Sequence, residues 1–501
     1  MGIIFYPHHL LFLNCEIIKG VKMKLVRLCK DAFFRQYGEF GYIKNQITQN
    51  ERVYDKIGAI FLKYINRNPK EIEKIVDELY SNFKGVTKEE ILKDLKEFIQ
   101  DLEENQFLVT GESIEELDKK EPKFSYSKDN KNLKKINKKD VLDSAKFLTE
   151  YFIKYPTLVD LQMEITGRCN LNCIHCYLPN HPNINLPKNL IFDILDQLKE
   201  MGTLSVTFTG GEPLLHNDFA SILEKAREND FSIAVLSNGI LINKEIIEIF
   251  KKFNVGLVQI SLYSLNPEIH DKITTIPGSM KKTLKAIESL IEENIQIQIS
   301  CPVMKENLKT LRDVLNYGES LSVKVNTDLE IMAKTDFSTT NLKSRLNIEE
   351  VEEAIKTIIE YDTNYKELLK NGVTDNVENY YYRFKNPDAP ICGVGTTMMC
   401  LAPNGDFYPC AGFKYIIGNA YKDKVKDVWF NSSGIKFLRS IKNSSYPECS
   451  NCEAQLYCAR CLSRIYNENS GKLDKIPKFF CEVSHLNKRL AEEFREKLNA
   501  S

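Results

Sequence analysis

A chain of 501 residues is too long for one ordinary core, so roughly two to four domains are expected. Basic and acidic residues almost cancel, with a formal net charge of -1, so no bulk field draws the molecule to nucleic acid or anionic lipid. No apolar run is long enough to cross a bilayer, which predicts a cytoplasmic protein with no membrane partner. Fourteen cysteines in such a chain point to metal ligation, because the reducing cytosol disfavours disulfides.

The apolar opening before Met23 lacks the basic region and small-residue cleavage site of a secretory signal, so Met1 and Met23 both remain open as starts. Residues 23–110 read as a compact α+β module. Tyr37, Phe40, Tyr42 and Ile43, set among Gly38, Gly41 and Asn45, suit short strands and turns. Asn68-Pro69-Lys70-Glu71 then predicts a helix start, followed by Ile72, Ile75, Val76, Leu79, Tyr80 and Phe83 at helical spacing. Thr87 and Glu90 predict a second capped helix. Residues 111–150, rich in Lys, Asp, Glu and Asn between 115 and 140, read as a linker.

Residues 155–335 alternate strands and helices, a rhythm that implies a parallel sheet. Strands are predicted at 161–166, 204–209, 231–236, 256–262 and 295–303, with a sixth near 323–332. Each pairs an apolar with a polar face: Gln162 and Glu164 oppose Leu161 and Met163, and Gln259 and Ser261 oppose Val258 and Ile260. If the sheet curls, the polar faces line a lumen suited to a polar ligand. Residues 336–390 read as a helical connection, and 391–485 as a cysteine-rich domain with a hairpin at Asn404-Gly405 and a closing helix near 485–498. Lone cysteines Cys15, Cys29 and Cys301 read as small buried hydrophobes.

Cys169, Cys173 and Cys176 form a CxxxCxxC group at the end of the first core strand, with His175 before the last cysteine. Gly210-Gly211-Glu212-Pro213 follows the second strand, Ser237-Asn238-Gly239 ends the third, and Ser261 ends the fourth. Together these resemble the radical S-adenosylmethionine (radical SAM) superfamily, whose fold is a partial (β/α)6 TIM-like barrel of class α/β. The resemblance implies a [4Fe–4S] cluster held by the three cysteines, with S-adenosyl-L-methionine on the fourth iron and a 5′-deoxyadenosyl radical as the reagent. It also implies cofactor-binding roles for His175, Gly210, Gly211, Glu212, Pro213, Ser237, Asn238 and Ser261, with Glu212 taking the cofactor ammonium. Zinc is the alternative for a thiolate triplet. Thr274 stands where many relatives have an arginine, and Lys272 is the substitute candidate.

Cys392, Cys410, Cys449, Cys452, Cys458, Cys461 and Cys481 resemble a SPASM domain, which carries auxiliary [4Fe–4S] clusters. That likeness implies one cluster on Cys449, Cys452, Cys458 and Cys481, and a second, nearer the core, on Cys392, Cys410 and Cys461. The second set lacks a fourth cysteine, so an open iron and ligation by Cys400 are both expected possibilities. Residues 23–110 resemble the winged-helix module that receives leader peptides in ribosomal-peptide biosynthesis by strand addition.

The three resemblances together imply a radical SAM peptide maturase that joins a cysteine sulfur to a carbon of a precursor peptide. They imply a leader-bearing peptide and a flavodoxin or ferredoxin as partners, and no nucleic acid. Carbon–carbon crosslinking, a sulfatase-type maturase, a porphyrin-modifying enzyme and an iron-sulfur DNA-binding regulator are the rivals.

Overall fold

The computed structural model describes residues 25–126, 138–362, 386–458 and 460–499. The choice between Met1 and Met23, residue Cys15 and residues 363–385 of the 336–390 connection lie outside them. The chain divides into two compact units, one formed by residues up to Lys30 with Phe61–Glu121, the other by Asp31–Ile60 with Pro122–Ser501.

Among the described residues up to Gly111 the strands are β1 (Leu25–Leu28), β2 (Ala32–Tyr37), β3 (Phe40–Asn45), β4 (Glu51–Tyr54), β5 (Lys70–Glu71) and β6 (Leu108–Gly111). In the smaller unit β1 pairs antiparallel with both β5 and β6. That pairing moves a helix start. Lys70 and Glu71 bond to β1 rather than entering the first turn, so the helix spans Ile72–Tyr80 with Glu71 at its N-cap and no side-chain cap bond. Its buried Ile72, Ile75, Val76 and Leu79 are the face the periodicity predicts.

The helix Lys88–Glu104 begins with the expected Thr87/Glu90 capping box. A further helix, Ile114–Lys120, stands at the start of the stretch read as linker. Ser113 caps it, Leu117 is buried, and Arg27 ties its end down through Asp118 at 2.8 Å and Glu121 at 2.7 Å. The charge-rich composition there reflects an exposed helix face and a buried ion pair, not an unstructured link.

Strands β2, β3 and β4 form an antiparallel meander that belongs to the larger unit. The cause is packing. Phe33, Tyr37, Phe40 and Tyr42 bury their rings against Leu148 and Phe152 of the helix Lys138–Lys154, while Arg35 donates to the Thr203 carbonyl at 2.9 Å and pairs with Asp230 at 3.1 Å.

The core strands follow: β7 (Asp160–Thr166), β8 (Ser205–Gly210), β9 (Ser232–Ser237), β10 (Leu257–Ser261), β11 (Ile297–Pro302) and β12 (Lys324–Asp328). They are parallel and adjacent in chain order, with helices between them. The last is shorter than the sequence suggests. Beside β7 the sheet gains a parallel strand, β13 (Met398–Leu401), and then β14 (Asp406–Tyr408) and β15 (Gly418–Asn419), both antiparallel to their neighbours. The cysteine-rich region thus extends the core sheet directly, and its β13–β14 turn holds Gly405 at φ 86° as the Asn-Gly pair predicts.

Alternation sorts the two faces. Leu161, Met163, Ile165, Val206, Phe208, Ile233, Val235, Val258 and Ile260 join one core with the helices. Polar residues on the opposite face pair across strands: Ser205 donates to Asp160 at 2.6 Å and Gln298 to Gln259 at 2.6 Å. The closing helix runs Lys478–Asn499, earlier than expected, and includes Cys481. Cys29 and Cys301 are fully buried.

Phe208 is completely buried in this core. Phe208→Ala should lower the thermal midpoint by an amount equivalent to about 3–5 kcal/mol, read by calorimetry, with the cavity left behind adding to the lost burial.

Candidate functional site

The cysteine loop is fixed before any side chain acts. Pairing of β7 with β8 shifts register between Glu164 and Thr166, which turns the chain out of the sheet toward Cys169. The loop is then bonded on both sides. Gly211 N–H donates to the Thr166 carbonyl at 3.0 Å and Glu212 N–H to the Arg168 carbonyl at 2.8 Å, while Asn172 and Ile174 donate to the carbonyls of Thr274 and Ile273 at 3.2 and 2.9 Å.

The two glycines are explained by this contact. A Cβ on Gly210 would lie 2.2 Å from the Thr166 carbonyl oxygen, and one on Gly211 would lie 2.2 Å from that of Arg168 and 2.9 Å from the Cys169 Cβ. Gly210 also has φ 144°. Their first task is close approach of two backbones.

Glu212 is completely buried. Its carboxylate accepts from Ser237 Oγ at 2.9 Å, Asn238 N–H at 2.8 Å and Leu214 N–H at 3.2 Å. Asn238 Nδ2 in turn donates to the Asn170 side chain at 2.7 Å, inside the cysteine loop. Burial pushes the carboxyl up to about 7, against the three hydrogen bonds. The sequence reading gave Glu212 the cofactor ammonium; here it clamps the ends of β8 and β9, and Pro213 continues from it as the first residue of a buried turn.

One cavity gathers the remaining candidates. Cys169, Cys173, His175 and Cys176 line it with Gly210, Gly211, Ser237, Asn238 and Ser261. Thr209, Tyr177, His181 and Tyr263 also line it and were not singled out from sequence. Tyr263 is the centre of this wall. Its hydroxyl lies 3.9 Å from Cys173 Sγ, its ring meets that of His175 edge-on with centroids 4.9 Å apart, and its N–H donates to His270 Nδ1 at 3.3 Å. It lies two residues past Ser261, outside the motif. Thr274 is buried against Ser279 Oγ at 2.6 Å, and Lys272 is exposed and does not line the cavity.

Burial pushes the Cys169 thiol up to about 11 and Cys173 to about 12, and raises Cys176. Backbone N–H groups of Leu171 and Leu178 oppose the shift at Cys169 and Cys176 by donating to sulfur. Soft thiolate donors, sulfur-directed amides and a lined cavity fit an iron-sulfur cluster. Among the described residues no three of His, Cys, Asp and Glu close around a single ion. A cluster places each thiolate on a different iron, and asks for wider spacing than tetrahedral zinc does.

The other cysteines fall into two places. Cys449, Cys452, Cys458 and Cys481 line one small cavity with Ile476, Ser484 and His485, whose Nε2 is 3.8 Å from Cys452 Sγ. Cys410 is raised by burial and then by the charges of Cys461 and Cys392, which sets those three together. Cys400 is fully buried on β13 and also feels Cys410.

Comparison with known proteins follows these divisions. The Radical SAM superfamily model matches residues 163–318, that of the SPASM iron-sulfur cluster-binding domain residues 392–453, and that of coenzyme PQQ synthesis protein D (PqqD) residues 52–108. The chain is thus a radical SAM enzyme with a partial TIM-barrel core. It carries PqqD, radical SAM and SPASM domains in that order, which imply a SAM-binding [4Fe–4S] cluster and auxiliary clusters.

It is 28% identical to the antilisterial bacteriocin subtilosin biosynthesis protein AlbA of Bacillus subtilis over 63% of this chain and 70% of that one. To an AdoMet-dependent heme synthase of Methanosarcina barkeri it is 23% identical over 63% of this chain and 94% of the other. Among solved structures, Streptococcus suis SuiB bound to precursor peptide SuiA superposes with a TM-score of 0.59 at 19% identity, covering 88% of this chain and 97% of that one. No helix among the described residues is long and apolar enough to cross a membrane.

Gly211→Ala should push the Arg168 segment away and cost most of the first cluster's iron. Iron and sulfide analysis after anaerobic reconstitution, beside a Cys169/Cys173/Cys176→Ala chain, reads this directly; full iron content would show that the approach can relax.

Proposed function

We propose that the protein is a radical SAM peptide maturase that closes a thioether between a cysteine sulfur and a carbon of a ribosomally made precursor peptide. The observation that carries the reading is the presence in one chain of a PqqD-type domain, a cavity lined by Cys169, Cys173 and Cys176, and two further cysteine groups. Similarity to a bacteriocin biosynthesis protein and to a structure holding a precursor peptide supports a peptide substrate.

In this reading Cys169, Cys173 and Cys176 hold three irons beside the SAM site, and Gly210, Gly211, Ser237, Asn238, Ser261 and His175 form its walls. Bound cluster and SAM supply the one-electron chemistry that removes a hydrogen atom from the peptide. Cys449, Cys452, Cys458 and Cys481 hold an outer auxiliary cluster, and Cys392, Cys410 and Cys461 an inner one. Leader capture on the N-terminal module raises the effective concentration of the core peptide at the cavity. A flavodoxin or ferredoxin in the cytoplasm supplies electrons.

Reduced, reconstituted enzyme with SAM and the cognate cysteine-containing peptide should give a product lighter by two hydrogens per crosslink. That product should resist thiol alkylation. Two hydrogens lost with a thiol that still alkylates would favour a carbon–carbon bond instead, and unchanged peptide would sink both readings. For the regulator rival, the discriminating measurement is leader-peptide against DNA titration, with binding expected only to peptide.

A further inference from the structure

One strand position from the cavity lining, paired with Thr209, is a buried carboxylate to which the motifs assign no part. Glu164 lies on β7 with Leu161, Met163 and Ile165 turned to the helices, which leaves its own side chain on the lumen face. Its cross-strand partner on β8 is Thr209, which lines the cavity of the three cysteines. Glu164 is only 5% exposed.

Its neighbours come from two sides. The carboxylate acts electrostatically on Cys176 and Tyr177 at the first cysteine group, and on Cys400, Cys410 and Tyr408 in the cysteine-rich domain. Lys414 acts on it in return without forming an ion pair within bonding distance. Strand β7 runs between β8, which carries Thr209, and β13, which carries Cys400, so Glu164 lies between the cavity and the inner auxiliary cysteines.

What singles it out is an unused acceptor. On the same polar face Asp160 receives Ser205 and Gln259 receives Gln298, and buried Glu212 receives three donors. Among the described residues nothing donates a hydrogen bond to Glu164. With no fixed donor, the acceptor capacity of this largely buried carboxylate stays open to a ligand that donates to it.

Thioether formation supplies such a donor. The sulfur that ends bonded to carbon starts as S–H, and its proton has to leave. We propose that Glu164 takes the thiol proton of the substrate cysteine: the S–H bond breaks, the electron pair stays on sulfur, and an O–H bond forms on the carboxylate. The transfer needs no oxidant, and it neutralises a buried charge. The assignment rests on the thioether reading above.

Three chains, wild type, Glu164→Gln and Glu164→Asp, test it. Iron and sulfide content and precursor-peptide affinity should be unchanged in all three, and 5′-deoxyadenosine should still form with peptide present. Crosslinking by Glu164→Gln should fall about 100-fold or more, the scale of a lost proton acceptor, while Glu164→Asp keeps a substantial part of it. The signature is a rise in 5′-deoxyadenosine released per crosslink.

Wild-type crosslinking rates in Glu164→Gln would overturn the proposal, as would a matching loss of iron or of peptide affinity, either of which would make the carboxylate structural. A wild-type product with a free thiol overturns the thioether reading and this assignment together. A wild-type thioether made equally well by Glu164→Gln overturns only the assignment.

Discussion

The geometry of the site depends on how three loop segments from different strands are locked to one another. Glu212 does this by accepting from the backbone of its own turn and from both Ser237 and Asn238 at the end of β9. Each such hydrogen bond contributes about 0.5–1.5 kcal/mol, and more to an ionised carboxyl, so the three together hold the loop ends in place. Asn238 carries the link on to Asn170, between two of the cysteine ligand candidates. The glycine pair completes the lock from the other side, because only residues without a Cβ let the β8 turn rest on the carbonyls of Thr166 and Arg168.

That lock is effective because the sheet beneath it is stiff. Parallel strands β7 to β12 end on the same side, so their C-terminal loops meet, and the helices fill the opposite face with apolar side chains. Extension of the same sheet by β13, β14 and β15 brings Cys400 and Cys410 to the edge next to β7. The inner cysteines are thereby placed relative to the cavity by backbone pairing, not by a hinge between independent domains.

The cysteine groups that line the cavities were legible in the sequence because their spacing is local: CxxxCxxC, the glycine-glutamate turn and the paired C-terminal cysteines each lie within a few residues. Strand positions were legible for a similar reason, since alternation has a period of two. What escaped is set by contacts distant along the chain. Lys70 and Glu71 leave their helix for β1, and the β2–β4 meander leaves its neighbours for Leu148 and Phe152. Tyr263, His181 and His485 reach their cavities from outside any motif. The role of Glu212 was legible only in part. Its motif marks it, but the donors that occupy it come from residues 237 and 238.

Glu164 and Glu212 make the last distinction, because burial pushes both carboxyls up to about 7. Burial alone does not separate a structural carboxylate from a reactive one. Donors do. Glu212 already accepts three fixed donors, which hold the ends of β8 and β9 and the cysteine loop. Glu164 has no such bond, and it is paired on β7 beside Thr209, just before the register shift that turns the chain toward Cys169. An acceptor with no fixed donor, between two cysteine groups, is suited to meeting a proton that arrives with the substrate.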